Sequence, residues 1–212
     1  MIPLTLQPEP ATFNQAVRVP GQAFLQATGV NVGDGLSPRS RWSGRDYWRR
    51  HGLGMLHTAY DDICCYLCMY IENSAVARRN FTGGSVEHLV PVGQDAWKAY
   101  EWNNYALAGQ LVNRDRGNNS LISPFVLDFY PFELDLPSGV VFTAQGLTLA
   151  QRAIAIEIND VLKFDDRPQH ERDRASYYEQ FDTGVLTGAQ LARFAPFVWY
   201  EIQRQGLVIN EN

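Results

Sequence analysis

Glutamate and histidine stand side by side at positions 87 and 88, in the apolar stretch Val86-Glu87-His88-Leu89-Val90, and asparagines follow at 104 and 113. A carboxylate and an amide are hard oxygen donors that favour Mg²⁺ or Mn²⁺, whereas adding an imidazole to the ligand set moves preference toward Zn²⁺ or Ni²⁺. Histidine, with an unperturbed pKa of roughly 6.5, keeps a neutral nitrogen able to take a proton from water at cellular pH. One cation, two oxygen donors and one base are enough for phosphodiester hydrolysis, since the ion neutralises charge building on the phosphoryl and leaving oxygens. Each residue alone has a plainer reading: a surface Glu-His pair, or an asparagine capping a helix or forming a turn. The order of the set, with Pro91, Trp102 and Leu107 interleaved, favours a site.

Those side chains need a scaffold. Successive strand residues point to opposite faces, so Glu87 and His88 converge only at a strand end or a bulge, and Pro91 supplies a stop. Residues 100–113 read as a turn running into a helix, because Trp102, Tyr105, Leu107 and Leu111 recur at roughly helical spacing. Asn113 then lies near the helix end, on the face that can turn back toward the strand.

This run, Glu87-His88-Leu89-Val90-Pro91, Tyr100-Glu101-Trp102-Asn103-Asn104-Tyr105-Ala106-Leu107-Ala108 and Asn113, resembles the HNH endonucleases of the ββα-metal fold. More narrowly, it is similar to the HNH-like subunits that pair with ATPases in bacterial anti-phage systems of the Septu and retron-linked type. The resemblance covers residues 40–140 and implies roles. Glu87 and Asn113 are the metal ligands, with Mg²⁺ or Mn²⁺ as the implied ion. His88 is the general base and Asn104 braces the loop and orients that base. It also implies an ATPase partner and nucleic acid, DNA first, as substrate; RNA, transfer RNA included, stays open. The competing expectation is a catalytically degenerate HNH scaffold that binds its ATPase and nucleic acid without cutting.

Three departures bear on that choice. Family members often carry two Cys-x-x-Cys knuckles around a structural zinc, and here one remains, Cys65-Tyr66-Leu67-Cys68, preceded by Cys64. Zinc at Cys65 and Cys68 and small buried hydrophobes are both open readings, the second favoured because four donors are not available. The family lysine after the last motif residue is Arg116, which keeps the charge and can meet phosphate in a bidentate way. The aspartate of the family Asp-Pro-Phe is Ser123.

Composition sets the outer bounds. The 212 residues are 45% hydrophobic and 19% charged, ordinary for a globular protein, with no apolar run near the roughly 20 residues a bilayer requires. The opening residues Met1 to Pro10 lack a basic lead and are broken by prolines, unlike a secretory leader, and three cysteines make no disulfide framework; a cytoplasmic location is expected. A net charge of −5 is unhelpful to a protein holding nucleic acid alone and suggests a partner that brings it. The arginines are nevertheless clustered, as Arg39, Arg41, Arg45, Arg49 and Arg50, and as Arg78-Arg79 before the catalytic strand. Arg78, Arg79 and Arg116 are the candidate nucleic-acid contacts. The first cluster reads equally as a phosphate track or a solvated helix face.

The fold class expected is α+β, a small ββα-metal HNH module embedded in a mainly helical protein with an extended N-terminal arm. Residues 1–40, rich in Pro, Gly, Asn and Gln, form the arm, with about one turn of helix. Residues 41–142 form the nuclease module, and 143–212 a helical region with amphipathic segments from Leu147 and from Ala189, the latter interrupted by Pro196.

Overall fold

The computed structural model describes residues 1–36, 42–164 and 167–207, and they divide into two units. One comprises Thr5–Asp62 and Ile71–Leu121; the other comprises Met1–Leu4, Ile63–Tyr70 and Ile122–Asn212. Arg39 and Arg41 lie outside the described residues. The class is α+β: helices predominate, with two small antiparallel sheets among the described residues.

The first unit is built on a hairpin. Helix α1 opens with a π-helical turn, Asn14–Arg18, and continues as Val19–Ala27. Helix α2 likewise runs from a π turn, Trp48–Gly52, into Leu53–Ala59. A short α3, Ala75–Arg79, is N-capped by Ser74, whose side chain accepts from the Ala77 amide. Strand β1 (Gly84–His88) pairs antiparallel with β2 (Tyr105–Gly109), in a register running from Gly84↔Gly109 to His88↔Tyr105, and α4 (Gln110–Arg116) follows directly. Both α2 and α4 pack on the two strands.

Two expectations fail here for identifiable reasons. Residues 105–109 are strand, not the first turns of a helix. Tyr105, Ala106, Leu107 and Ala108 are all buried. A strand covered on both faces shows no alternation, and pairing with β1 overrides the helical preference of Ala and Leu. The N-terminal segment also holds more than one turn of helix. Phe13, Val17 and Leu25 are fully buried, and Gly21 lets α1 lie flat on an aromatic ring: a Cβ there would fall 2.1 Å from Tyr100 Cδ1. Pro20 lies inside this continuous helix, just after the π-helical turn Asn14–Arg18, the kind of irregularity that goes with a proline's missing N–H. The turn residues that suggest an extended arm are instead consumed within the helix and in a close approach.

The second unit pairs β3 (Phe132–Leu134) with β4 (Val141–Thr143), followed by α5 (Leu149–Leu162), α6 (Pro168–Asp182), α7 (Gly188–Phe194) and α8 (Pro196–Arg204). Capping boxes start α5 (Thr148 with Gln151) and α7 (Thr187 with Gln190), each satisfying two backbone donors at a helix start. Pro196 does not interrupt one helix; it begins α8 at a position proline favours. Leu134, Ile158, Leu162, Leu191, Phe197 and Ile202 form the core. Among the described residues no helix is long and apolar enough to cross a membrane.

Candidate active site

Strand β1 divides the motif residues between two faces. Glu87 and His88 are consecutive, so the carboxylate turns toward α4 and the imidazole toward α2, the arrangement pleating imposes. His88 is the last residue of β1, yet its ring still follows the alternation.

On the α4 face, Glu87 is fully buried and its Oε1 lies 2.9 Å from Nη1 of Arg116, a side chain only 3% exposed. Arg116 ends α4, and its guanidinium also donates to the carbonyls of His88 (3.0 Å), Leu89 (2.6 Å) and Gly117 (3.3 Å). It therefore ties the exit of β1 to the end of α4 and faces Glu87, not solvent. One turn earlier on the same helix, Asn113 Nδ2 donates to Val86 O at 3.0 Å and to Ser85 Oγ at 2.9 Å. Residues three apart share a helix face, so Asn113 and Arg116 address adjoining parts of β1.

On the α2 face, the His88 ring meets Trp48 edge-on at 5.1 Å and Tyr105 at 5.2 Å. The Ala99 carbonyl, which accepts from Tyr105 Oη at 2.5 Å, lies near enough to the imidazole to favour its charged form. The residue retains some surface, but its Nε2 is cut off from solvent and has no hydrogen-bond partner. Burial, reinforced by the Arg116 charge and opposed by the Ala99 carbonyl, lowers the His88 pKa to about 4. The ring is thus neutral at cellular pH, and its affinity for a proton is weaker than that of a solvated histidine.

Asn104 closes the connection between the strands. Its Oδ1 accepts from the Val90 amide at 2.7 Å, and its Nδ2 donates to Val90 O (3.1 Å) and Lys98 O (2.9 Å). One buried amide therefore satisfies three backbone groups of the 89–104 loop, each bond worth about 1 kcal/mol net. Trp102 anchors the same loop, donating from Nε1 to Gln7 O at 2.8 Å.

The remaining candidates lie elsewhere. Arg78 and Arg79 are exposed at the end of α3, just before β1, with Arg78 bonded to Asn73 Oδ1 at 3.2 Å. Arg45, Arg49 and Arg50 are also exposed, the last two next to Trp48 on α2. Cys64, Cys65 and Cys68 are buried in the second unit and joined in no disulfide, with Cys64 Sγ accepting from the Leu67 amide. Among the described residues no group of three or more His, Cys, Asp or Glu stands together as a ready ligand set.

A divalent ion at this site would draw on Glu87 and Asn113. Their oxygens are of the kind Mg²⁺ and Mn²⁺ take, and both belong to the β1–α4 junction. What already balances the Glu87 charge there is Arg116. The motif spacing gives no sign of this inward guanidinium, nor of the Trp48 and Tyr105 rings around His88. A third arrangement is equally silent in sequence: His57, 2% exposed on α2, bonds Asp62 Oδ1 at 2.7 Å through Nδ1, while a Cβ at Gly84 would strike its Nε2. Asp61 and Asp62 both take left-handed backbone conformations to make that turn.

No family model matches this chain, and no curated protein matches it.

Proposed function

We propose that the chain is a metal-dependent HNH endonuclease that hydrolyses phosphodiester bonds of nucleic acid, DNA first, and works in the cytoplasm as the effector of an anti-phage complex with an ATPase. The observation that carries the chemical part is the Asn104 clasp within a β–loop–β–α order: β1 bears Glu87 and His88, the amide of Asn104 pins the loop, and α4 returns Asn113 to β1. The partner and the biological setting rest on the sequence resemblance alone.

In this reading Glu87 and Asn113 would hold a divalent ion, which would offset the charge developing on the scissile phosphate. His88 would take the proton of the attacking water at Nε2, which requires the α2 side of the hairpin to open, because that nitrogen is shut off from solvent on the face of β1 opposite Glu87. Asn104 keeps the loop after β1 in place, so the imidazole does not swing. The exposed arginines Arg78 and Arg79 supply phosphate contacts outside the centre.

The test is incubation of the chain, alone and with its ATPase, with Mn²⁺ or Mg²⁺ and either supercoiled plasmid or cellular RNA. Metal-dependent cutting is expected, lowered about 10²- to 10⁴-fold by His88→Ala, the usual contribution of a positioned base. A His88→Ala protein that cuts as fast as the original contradicts the mechanism.

Two observations favour a second reading. Glu87 is paired with a buried arginine and His88 sits between aromatic edges with a pKa of about 4, features that also suit a scaffold that binds partner and nucleic acid without cutting. Tight nucleic-acid binding by the complex, with no cleavage under any divalent ion, is the result that selects it.

A further inference from the structure

The cation already inside the candidate centre is a side chain. Arg116 meets Glu87 at 2.9 Å, and both groups are buried. A carboxylate in such a place needs a positive neighbour, because an unpaired charge removed from water costs several kcal/mol. It has little use for two: a guanidinium and a divalent ion on one carboxylate would repel each other at close range in a medium of low dielectric. The geometry also shows where Arg116 spends its donors. Its hydrogen bonds run to the carbonyls of His88, Leu89 and Gly117, which hold it in place without the carboxylate. Contact with Glu87 can therefore loosen while the guanidinium stays tethered to the end of β1.

We infer that Arg116 is the resident counter-cation of Glu87 and competes directly with a divalent ion for it, so that metal enters this centre only in exchange for the guanidinium. The inference rests on the proposed role of Glu87 as a metal ligand and adds what that role does not contain: the resting protein binds metal weakly, and residue 116 sets how weakly. A long, charged, inward-facing arginine at this position then acts as a positioning residue for β1 and a brake on metal loading. Anything that draws the guanidinium from Glu87, a phosphate group being the obvious anion, strengthens metal binding.

The experiment uses the full chain and reads metal binding, not cleavage. Free Mn²⁺ is followed by its paramagnetic resonance signal during titration of the wild-type protein, Arg116→Met, Glu87→Gln and the double variant. Methionine keeps much of the buried stem while removing the charge. Arg116→Met is expected to bind Mn²⁺ at least about tenfold more tightly than wild type, a competition of about 1.4 kcal/mol, and the double variant to lose that gain. Should Arg116→Met fail to fold alone, refolding in the presence of Mn²⁺ is expected to recover it, because the ion takes over the charge of the missing guanidinium; no recovery overturns the inference. Equal Mn²⁺ affinity in wild type and Arg116→Met overturns it as well. Tight wild-type binding that Glu87→Gln abolishes would refute the competition while leaving the nuclease reading intact, and plasmid cleavage judges that reading separately.

Discussion

Among the described residues two glutamates are buried beside arginines, and the pairs are built differently. Glu201 on α8 is fully buried, but its partner Arg204, at i+3, is 36% exposed and donates to both carboxylate oxygens at 2.8 to 3.1 Å, with Glu133 sharing the charge at 3.3 Å. Gln205 adds a fourth bond. Here the guanidinium is directed at the acid and reaches water behind it, the ordinary design of a helix clamp. Glu87 and Arg116 come from different elements, both are shut away from solvent, and the hydrogen bonds of the guanidinium go to backbone carbonyls while the acid lies beside it. The comparison teaches that Arg204 serves its glutamate, whereas Arg116 serves the strand and neutralises its glutamate in passing.

The sharpest way to break that contrast is to remove each arginine. Arg116→Met is expected to destabilise the metal-free protein by about 3–5 kcal/mol, the cost of leaving a buried charge uncompensated, while Arg204→Met costs less, about 1–3 kcal/mol, because Gln205 still donates to Glu201 and water can follow the half-exposed side chain that is removed. Urea denaturation measures both, and equal losses would show the two pairs to be alike.

The two asparagines sharpen it further. Asn104→Ala removes three loop bonds from a buried site and is expected to cost about 2–3 kcal/mol, whereas Asn113→Ala, with two bonds made only by Nδ2 at a half-buried position, costs about 1 kcal/mol without metal. Thermal denaturation ranks them, and an Asn113 loss as large as that of Asn104 would make its role structural.

A smaller effect is read by pH. The folded pKa of His88 is about 4 against an ordinary 6.5, so on acidification the unfolded chain takes up the proton first. Its contribution is full above about pH 6.5 and is lost as pH falls toward 4, on the order of 2 kcal/mol after allowance for the surface the residue keeps. His57 is shifted in the same direction by burial, so the difference between wild type and His88→Gln isolates one ring. If the two proteins lose stability in parallel between pH 6.5 and 4, the neutral, enclosed imidazole is refuted.

The parts of this molecule that sequence reveals are those where one local rule dominates. Apolar periodicity marks α5 and the helices around Pro196, and the turn before Val86 marks the start of β1. Asn104, which the resemblance casts as a loop brace, bonds three backbone groups of the 89–104 loop. Strand β2 is hidden because residues buried on both faces lose their alternation, and α1 because Gly21 serves a close approach to Tyr100 and Pro20 lies within the helix instead of marking a turn. The site is only half visible for a related reason. Motif spacing locates Glu87, His88 and Asn113 along the chain, but whether Arg116 points inward, or which rings enclose His88, depends on how α2 and α4 cover the hairpin. No short-range pattern encodes that.

The most direct measurement is a double-mutant cycle for stability between Glu87→Gln and Arg116→Met in the absence of metal. The account predicts that the double variant is more stable than the sum of the single losses implies, with a coupling of about 2 kcal/mol or more, because each single change strands the other's buried charge. Losses that add to within about 0.5 kcal/mol would mean that the two side chains do not depend on each other, and that Arg116 is not the cation of this centre.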